Sequence, residues 1–404
     1  MDGELTCDGA SLSELAREHG TPLYVYSGAT IEENFRRFDQ AFAPVDHLVC
    51  YATKANSSLA IVRRLAGIGA GADVVSGGEL RAALVCGIPA ERIVFSGVGK
   101  TDGEIAAGVD AAILAFNAES EREIEKIDAI ARARGAVARV ALRVNPDIDA
   151  RSHPYISTGL KQNKFGVDIG RSRDVFEKAR RLSNVRMVGV QAHIGSQITA
   201  SGPLADSAGE LAELAKTLAA QGFPIETVDI GGGIGIGGSG LSPESYAAAV
   251  LPCLCGLPFR ILIEPGRAIV GPAGVLLTAV LYVKQERGKT FVVTDAGMND
   301  LLRPALYQAI HPIEPVRRTE NRTITADVVG PVCETADFFL QDAAIPEPEE
   351  GDLLAIRDAG AYGFAMSSNY NFRPRAAEVL IENGSPRLVR RRESFDDLTR
   401  LEHV

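Results

Sequence analysis

The chain has 404 residues, 46% hydrophobic and 23% charged, with 42 basic against 52 acidic side chains and a formal net charge of −10. At roughly 150 residues per domain, that length holds two to three domains with cores large enough to need no disulfide or metal staple. The acidic balance works against sequence-independent binding to nucleic-acid phosphates or anionic lipid. The acidic N-terminus Met1-Asp2-Gly3-Glu4 and the interruption of the uncharged run 268–283 by Pro272 and Gly274 leave no signal peptide or membrane span to read.

In chain order, residues 21–27 read as a strand and 31–41 as a helix. Eight short aliphatic runs follow, at 47–52, 72–75, 92–95, 111–115, 138–144, 186–192, 226–230 and 259–263. Segments of helical spacing alternate with them at 58–65, 78–85, 120–134, 174–182, 205–220 and 243–251, several opened by Ser or Asp. That alternation predicts an α/β fold, a (β/α)8 TIM-like barrel over 29–269. Beyond it, strand-like runs at 275–283, 290–294, 323–329, 352–357, 377–381 and 387–391 lack long intervening helices. They predict a separate, mostly antiparallel β domain, 270–404, to which 1–28 adds its strand. Cys7, Cys50, Cys86, Cys253, Cys255 and Cys333 are scattered, which suits a reducing cytoplasm. Cys253-x-Cys255 lacks a second ligand pair, so no metal site is expected.

Working residues of a barrel sit on the loops that follow its strands. The first strand runs into Tyr51-Ala52-Thr53-Lys54-Ala55-Asn56. A lysine at the barrel mouth is a candidate Schiff-base amine, because desolvation lowers its pKa; a lysine snorkelling along the outer wall is an equal alternative on this fragment alone. The fifth strand ends in Arg143-Val144-Asn145-Pro146 and the sixth in His193-Ile194-Gly195-Ser196-Gln197. That histidine reads evenly as structural or as ring-facing. The seventh delivers Asp229-Ile230-Gly231-Gly232-Gly233, whose unobstructed backbone N–H groups suit a phosphate. Residues 233–238 also satisfy G-x-G-x-x-G, but late in the chain and with no acid at the ribose spacing, so a dinucleotide is not expected. The eighth strand ends in Glu264-Pro265-Gly266-Arg267. In isolation this is a surface ion pair; at the same rim it adds an acid able to meet a pyridinium nitrogen. Lysine, phosphate nest, histidine and acid together make the inventory of a pyridoxal 5′-phosphate site.

The chain resembles the diaminopimelate decarboxylases, among the barrel-plus-β-domain pyridoxal-phosphate enzymes that include ornithine and arginine decarboxylases and, more distantly, alanine racemase. The pieces that carry the resemblance run nearly end to end. They are Gly20-Thr21-Pro22-Leu23-Tyr24-Val25-Tyr26, the stretch 51–56, Asp73-Val74-Val75-Ser76-Gly77-Gly78-Glu79-Leu80, Lys164-Phe165-Gly166, the stretch 193–197, Gly231-Gly232-Gly233 and the stretch 264–267. Asp295-Ala296-Gly297-Met298-Asn299-Asp300, Gly330-Pro331-Val332-Cys333-Glu334-Thr335 and Asn369-Tyr370-Asn371-Phe372-Arg373-Pro374-Arg375 complete the series.

The resemblance implies a cytoplasmic, pyridoxal-phosphate-dependent decarboxylase that converts meso-2,6-diaminopimelate to L-lysine and CO2, the last step of lysine biosynthesis. Lys54 would hold the cofactor, His193 would stack on its ring, Glu264 would pair with the ring nitrogen, and Asp73 would add a further contact. Ser196, Gly231, Gly232, Gly233, the backbone around Gly266 and Arg267, and Tyr362 would bind the phosphate. The distal end of the substrate is a second amino-acid head. It needs a partner for its carboxylate, from Arg267, Arg303 and Tyr307, and one for its ammonium, from Glu334, with Tyr362 also on the substrate side. Cys333 and Glu334 would reach across a homodimer interface, making each site shared. Either Cys333 or Lys54 would protonate the carbon that lost CO2, and the sequence does not choose. Small departures at Ala268, Pro272, the stretch 236–240 and Thr335 leave open a related decarboxylase or racemase acting on ornithine, lysine, arginine or a carrier-bound amino acid. A non-catalytic pyridoxal-phosphate carrier would lack residues 275–404. The conformation of the segment 149–165 is not legible.

Overall fold

The computed structural model describes residues 3–149, 164–318 and 322–403, so most of the segment 149–165 lies outside the described residues. The chain divides into two compact units, Glu32–Ala268 and the combination of Met1–Ile31 with Ile269–Val404.

In the first unit eight parallel strands close into a barrel. They are β1 (His47–Ala52), β2 (Gly71–Val74), β3 (Ile93–Phe95), β4 (Ala115–Ala118), β5 (Ala138–Asn145), β6 (Val185–Gln191), β7 (Thr227–Asp229) and β8 (Arg260–Ile263). Each pairs with the next, and β8 returns to β1 through Ile261 on His47, Leu262 on Leu48 and Ile263 on Val49. Strands of a parallel barrel are covered on both faces, which is why β1 reads HLVCYA with every residue after His47 buried. Side-chain caps start the intervening helices: Ser76 for Gly77–Val85, a Thr101/Glu104 capping box for Asp102–Ala111, and Ser120 for Glu121–Ala133.

The expected barrel forms, but its fourth strand lies later than the 111–115 predicted. The Thr101/Glu104 box launches a helix that runs to Ala111, and Ala112 ends it in the left-handed region at φ 53°. Residues 111–116 are apolar throughout, so periodicity does not mark where helix stops and strand begins. The shift places Asn117 on β4.

The second unit is a mostly antiparallel sheet in the order Phe338–Pro346, Thr323–Val329, Lys289–Thr294, Gly274–Glu286, Leu23–Ser27, Ala377–Glu382 and Ser385–Arg390. The N-terminal strand sits inside it, antiparallel to residues 274–277 and parallel to 377–381. Leu12, Leu15, Leu23, Val25, Leu277, Val379 and Ile381 pack its core. The strand Phe338–Pro346 has no counterpart among the predicted elements. Its register against Thr323–Val329 shifts twice and Asp342 adopts φ 47°, a bulge that breaks the alternation by which strands are recognised.

Candidate active site

Buried polar side chains collect at the C-terminal ends of otherwise apolar barrel strands: Asp73 on β2, Ser96 after β3, Asn117 on β4, Arg143 on β5, Gln191 on β6, Asp229 on β7 and Glu264 after β8. Lys54, Ser96, Arg143, Gln191, His193 and Glu264 line a cavity of about 310 Å³ there, with Val75, Val98 and Phe165 on its apolar walls.

Lys54 stands in the single turn Thr53–Ala55 that follows β1. Its Nζ lies 2.7 Å from Oδ2 of Asp73, a side chain with no exposure, while Lys54 itself keeps 33%. An amine paired to a wholly buried carboxylate at a cavity mouth is not a lysine lying along the outer wall. Thr53 donates to Glu79 Oε2 at 2.7 Å, and the Val75 N–H donates to the same oxygen at 2.8 Å. Burial pushes the Glu79 carboxyl up. The start of the helix Gly77–Val85 therefore clamps the turn that carries the lysine.

Glu264 accepts from Gln191 Nε2 at 3.2 Å and Asn117 Nδ2 at 3.4 Å. Burial, and after it the nearby Asp229 and Asp73, holds its carboxyl well above the usual range, with Lys54 acting the other way. Burial likewise pushes Asp229 up to about 6, opposed by its hydrogen bond with Glu264. Withdrawal from water thus holds both carboxyls above the usual carboxylate range, and Asp229 adds to the rise of Glu264.

The Gly232 N–H donates to His193 Nδ1 at 3.2 Å, so that nitrogen carries the lone pair. Burial, then the charges of Lys54 and Arg143, drives the His193 pKa well below its ordinary value and keeps the ring neutral. The Gly231 N–H goes to Asp229 Oδ1 at 2.9 Å. Two of the three amides read from sequence as a phosphate nest are thus engaged inside the protein. The glycines have a second cause. A Cβ at Gly231, Gly232 or Gly233 would fall 2.5, 2.1 or 2.1 Å from the carbonyl oxygens of Ala192, Glu264 or Gly195, where the exits of β6, β7 and β8 crowd together. Gly266 packs its loop onto Ala52 and Ala55, and Arg267 Nη2 donates to Ser196 Oγ at 2.9 Å, so these two predicted residues meet.

Asn117, Gln191, Glu79 and Glu119 escaped the sequence reading. Glu119 accepts from Arg143 Nη1 at 2.7 Å and from the Gly166 N–H at 2.8 Å, while the Arg143 guanidinium lies 4.7 Å from the Phe165 ring centroid. These contacts tether Lys164-Phe165-Gly166 to the rim. The available signal was a polar residue closing an apolar parallel strand.

Arg303, Tyr307, Cys333, Glu334 and Tyr362 belong to the second unit. Arg303 is buried at the start of the helix Arg303–Tyr307, whereas Cys333 and Glu334 are exposed. Asp337 secures their loop, accepting from the Met298 and Val332 N–H groups, each at 2.6 Å. The Cys333 N–H donates to Asn371 Oδ1 at 2.8 Å, and Tyr370 Oη donates to Glu334 Oε2 at 3.3 Å. Tyr362 sits at φ 56°, a conformation an aromatic residue rarely adopts and one that concentrates at functional positions. Among the described residues, no group of three His, Cys, Asp or Glu side chains is arranged to hold a metal, and no helix is long and apolar enough to cross a membrane.

Residues 28–271 match the family profile described as the pyridoxal binding domain of pyridoxal-dependent decarboxylases. The chain is 49% identical over 399 residues to a diaminopimelate decarboxylase of Aquifex aeolicus, covering 98% of this chain and 94% of that one. It is 46% identical over 407 residues to the enzyme of that name from Vibrio cholerae, covering 100% and 97%. Among solved structures, Helicobacter pylori diaminopimelate decarboxylase complexed with L-lysine superposes with a TM-score of 0.93 at 45% identity, covering 96% and 98% of the two chains.

Proposed function

The chain belongs to the diaminopimelate decarboxylases, within the pyridoxal-dependent decarboxylases, and from that footing we propose that it releases CO2 from meso-2,6-diaminopimelate to give L-lysine, with pyridoxal 5′-phosphate as its cofactor. One observation carries the reading: Lys54, His193 and Glu264 line a single cavity at the mouth of the barrel. The Helicobacter pylori relative was solved with L-lysine, the product assigned here.

The residues fit the cofactor. The cavity offers an amine, a neutral imidazole and a buried carboxyl, and on the Asp73 carboxyl that pairs with Lys54 the second oxygen, Oδ1, is buried without a hydrogen-bond partner among the described residues. When bound, the cofactor supplies the electron sink that takes up the pair left by departing CO2. The chain does the rest. Lys54 would hold the cofactor through its amine, with Asp73 fixing where that amine points. His193, pinned by Gly232, would present its ring face, and Glu264 would face the ring nitrogen. Ser196, the loop Gly231–Gly233 through its Gly233 amide, the backbone around Gly266 and Arg267, and Tyr362 would take the phosphate. Arg303, Tyr307 and Arg267 would hold the distal carboxylate and Glu334 the distal ammonium. Cys333 Sγ or Lys54 Nζ would return a proton to carbon.

The protein would act as a homodimer in which Cys333 and Glu334 complete a partner's site. Their exposure beside Tyr370 and Phe372, 45% and 53% exposed, supports that arrangement. Six unpaired thiols suit a reducing compartment, the cytoplasm.

The purified protein is expected to show a visible absorption band that Lys54→Ala abolishes. It is also expected to release CO2 from meso-diaminopimelate but not from ornithine, lysine or arginine. A band retained in Lys54→Ala, or comparable turnover of one of the other amino acids, would overturn the assignment.

A further inference from the structure

We propose that His311 is a positioning residue for the substrate's distal end: it aims Arg303 through a hydrogen bond that a neutral imidazole accepts. The inference rests on the reading of Arg303 as a partner of the distal carboxylate. Both side chains are buried, Arg303 at 6% and His311 at 1% exposure. The imidazole bridges two fixed groups. Its Nδ1 lies 2.8 Å from the Arg357 carbonyl oxygen and its Nε2 2.9 Å from Arg303 Nη1. A carbonyl only accepts and a guanidinium only donates. The two contacts therefore allow one arrangement, with the proton on Nδ1 and the lone pair on Nε2. An imidazolium would set an N–H and a second positive charge against the guanidinium.

The support beneath the ring is rigid. The Arg357 N–H donates to the Pro312 carbonyl at 2.8 Å, and the strand Ile313–Pro315 pairs with Leu353–Ile356, so His311 and its acceptor sit on one ladder. The type of partner matters. A carboxylate in place of His311 would orient Arg303 but also neutralise it, competing with the substrate's own carboxylate. A neutral imidazole fixes the direction and leaves the charge in place. The charged neighbours are accounted for: Arg357 Nη1 pairs with Glu314 Oε1 at 2.6 Å, and burial pushes Asp358 up while Arg357 and Arg303 pull it down.

The test uses the holoenzyme. His311→Gln returns an acceptor near the position of Nε2, His311→Asn returns only the donor near Nδ1, His311→Phe removes both, and His311→Glu supplies a carboxylate. The readouts are kcat and KM for meso-diaminopimelate and the inhibition constants of L-lysine, which keeps one amino-acid head, and of cadaverine, which has no carboxylate. Phe and Glu are expected to raise KM and the L-lysine constant about tenfold, the worth of one charge-assisted hydrogen bond. They should leave kcat within about twofold and cadaverine unaffected. Gln should recover most of the loss and Asn should not; that pair carries the test if Phe does not fold. Unchanged KM in the Phe and Glu variants overturns the proposal, as does equal weakening of L-lysine and cadaverine with no advantage of Gln over Asn. Arg303→Ala separates the two levels. If it leaves L-lysine inhibition unchanged, the assignment of Arg303 fails; if it weakens L-lysine while the His311 variants are silent, only the positioning role fails.

Discussion

Asp229→Asn keeps the shape of the side chain and an acceptor for the Gly231 N–H, now 2.9 Å from Oδ1, while removing an ionisable group from the base of the site. Burial holds the Asp229 carboxyl at about 6 in the folded chain, against 3.8 in water. Between those values the native state binds a proton that the unfolded chain has released, so unfolding free energy falls as pH rises through the window. The penalty is absent below the lower value and complete above the upper one. At about 1.4 kcal/mol per pKa unit, the gap amounts to roughly 3 kcal/mol at neutral pH. Asparagine carries no such penalty. The variant is expected to match the parent near pH 4 and to exceed it by up to about 3 kcal/mol at pH 7, with the slope left between them belonging to Glu264. Urea unfolding of the cofactor-free protein, repeated across that pH range, reads the difference directly. Parallel stability curves for the two proteins would refute the reasoning, because they would mean that Asp229 bears its charge in the fold without cost. A gain in stability coupled to a loss of activity would identify the buried Asp229 carboxyl as something the site keeps at the expense of stability.

Gly232→Ala places a Cβ 2.1 Å from the Glu264 carbonyl oxygen, so cofactor affinity is expected to fall at least about tenfold in an absorbance titration, and an unaltered dissociation constant would contradict the crowding described. Asp337→Ala strips the acceptors from the Met298 and Val332 N–H groups; thermal or urea unfolding should show a loss of at least about 2 kcal/mol, with activity falling as the Cys333 loop loosens. Equal mixtures of inactive Lys54→Ala and inactive Cys333→Ala subunits should regain about a quarter of parental activity once they exchange, since half the dimers are mixed and one of their two sites is intact. No recovery despite demonstrated exchange would mean that each subunit's site is self-contained.

The barrel was legible because parallel strands covered on both faces are uninterrupted apolar runs, and β1 begins and ends at the residues the run predicts, His47 and Ala52. Lys54, His193 and Glu264 were legible for a related reason: each is a polar residue just past such a run, and the architecture gathers those positions at one rim. The fourth strand was not, because the apolar stretch 111–116 suits the end of a helix and the start of a strand equally well. The partners of Glu264 were not either. Asn117 and Gln191 lie 147 and 73 positions away in the chain, and their amides reach it only because the sheet closes on itself. Local spacing thus determined which side chains would stand at the mouth of the barrel. Their protonation states belong to the tertiary structure: the raised carboxyls of Glu264 and Asp229, the lone pair of His193 toward Gly232, and the single tautomer of His311 between Arg303 and Arg357. Protonation depends on which donors and acceptors surround a group and how much water is withdrawn from it, and distant segments supply both only once the chain has folded.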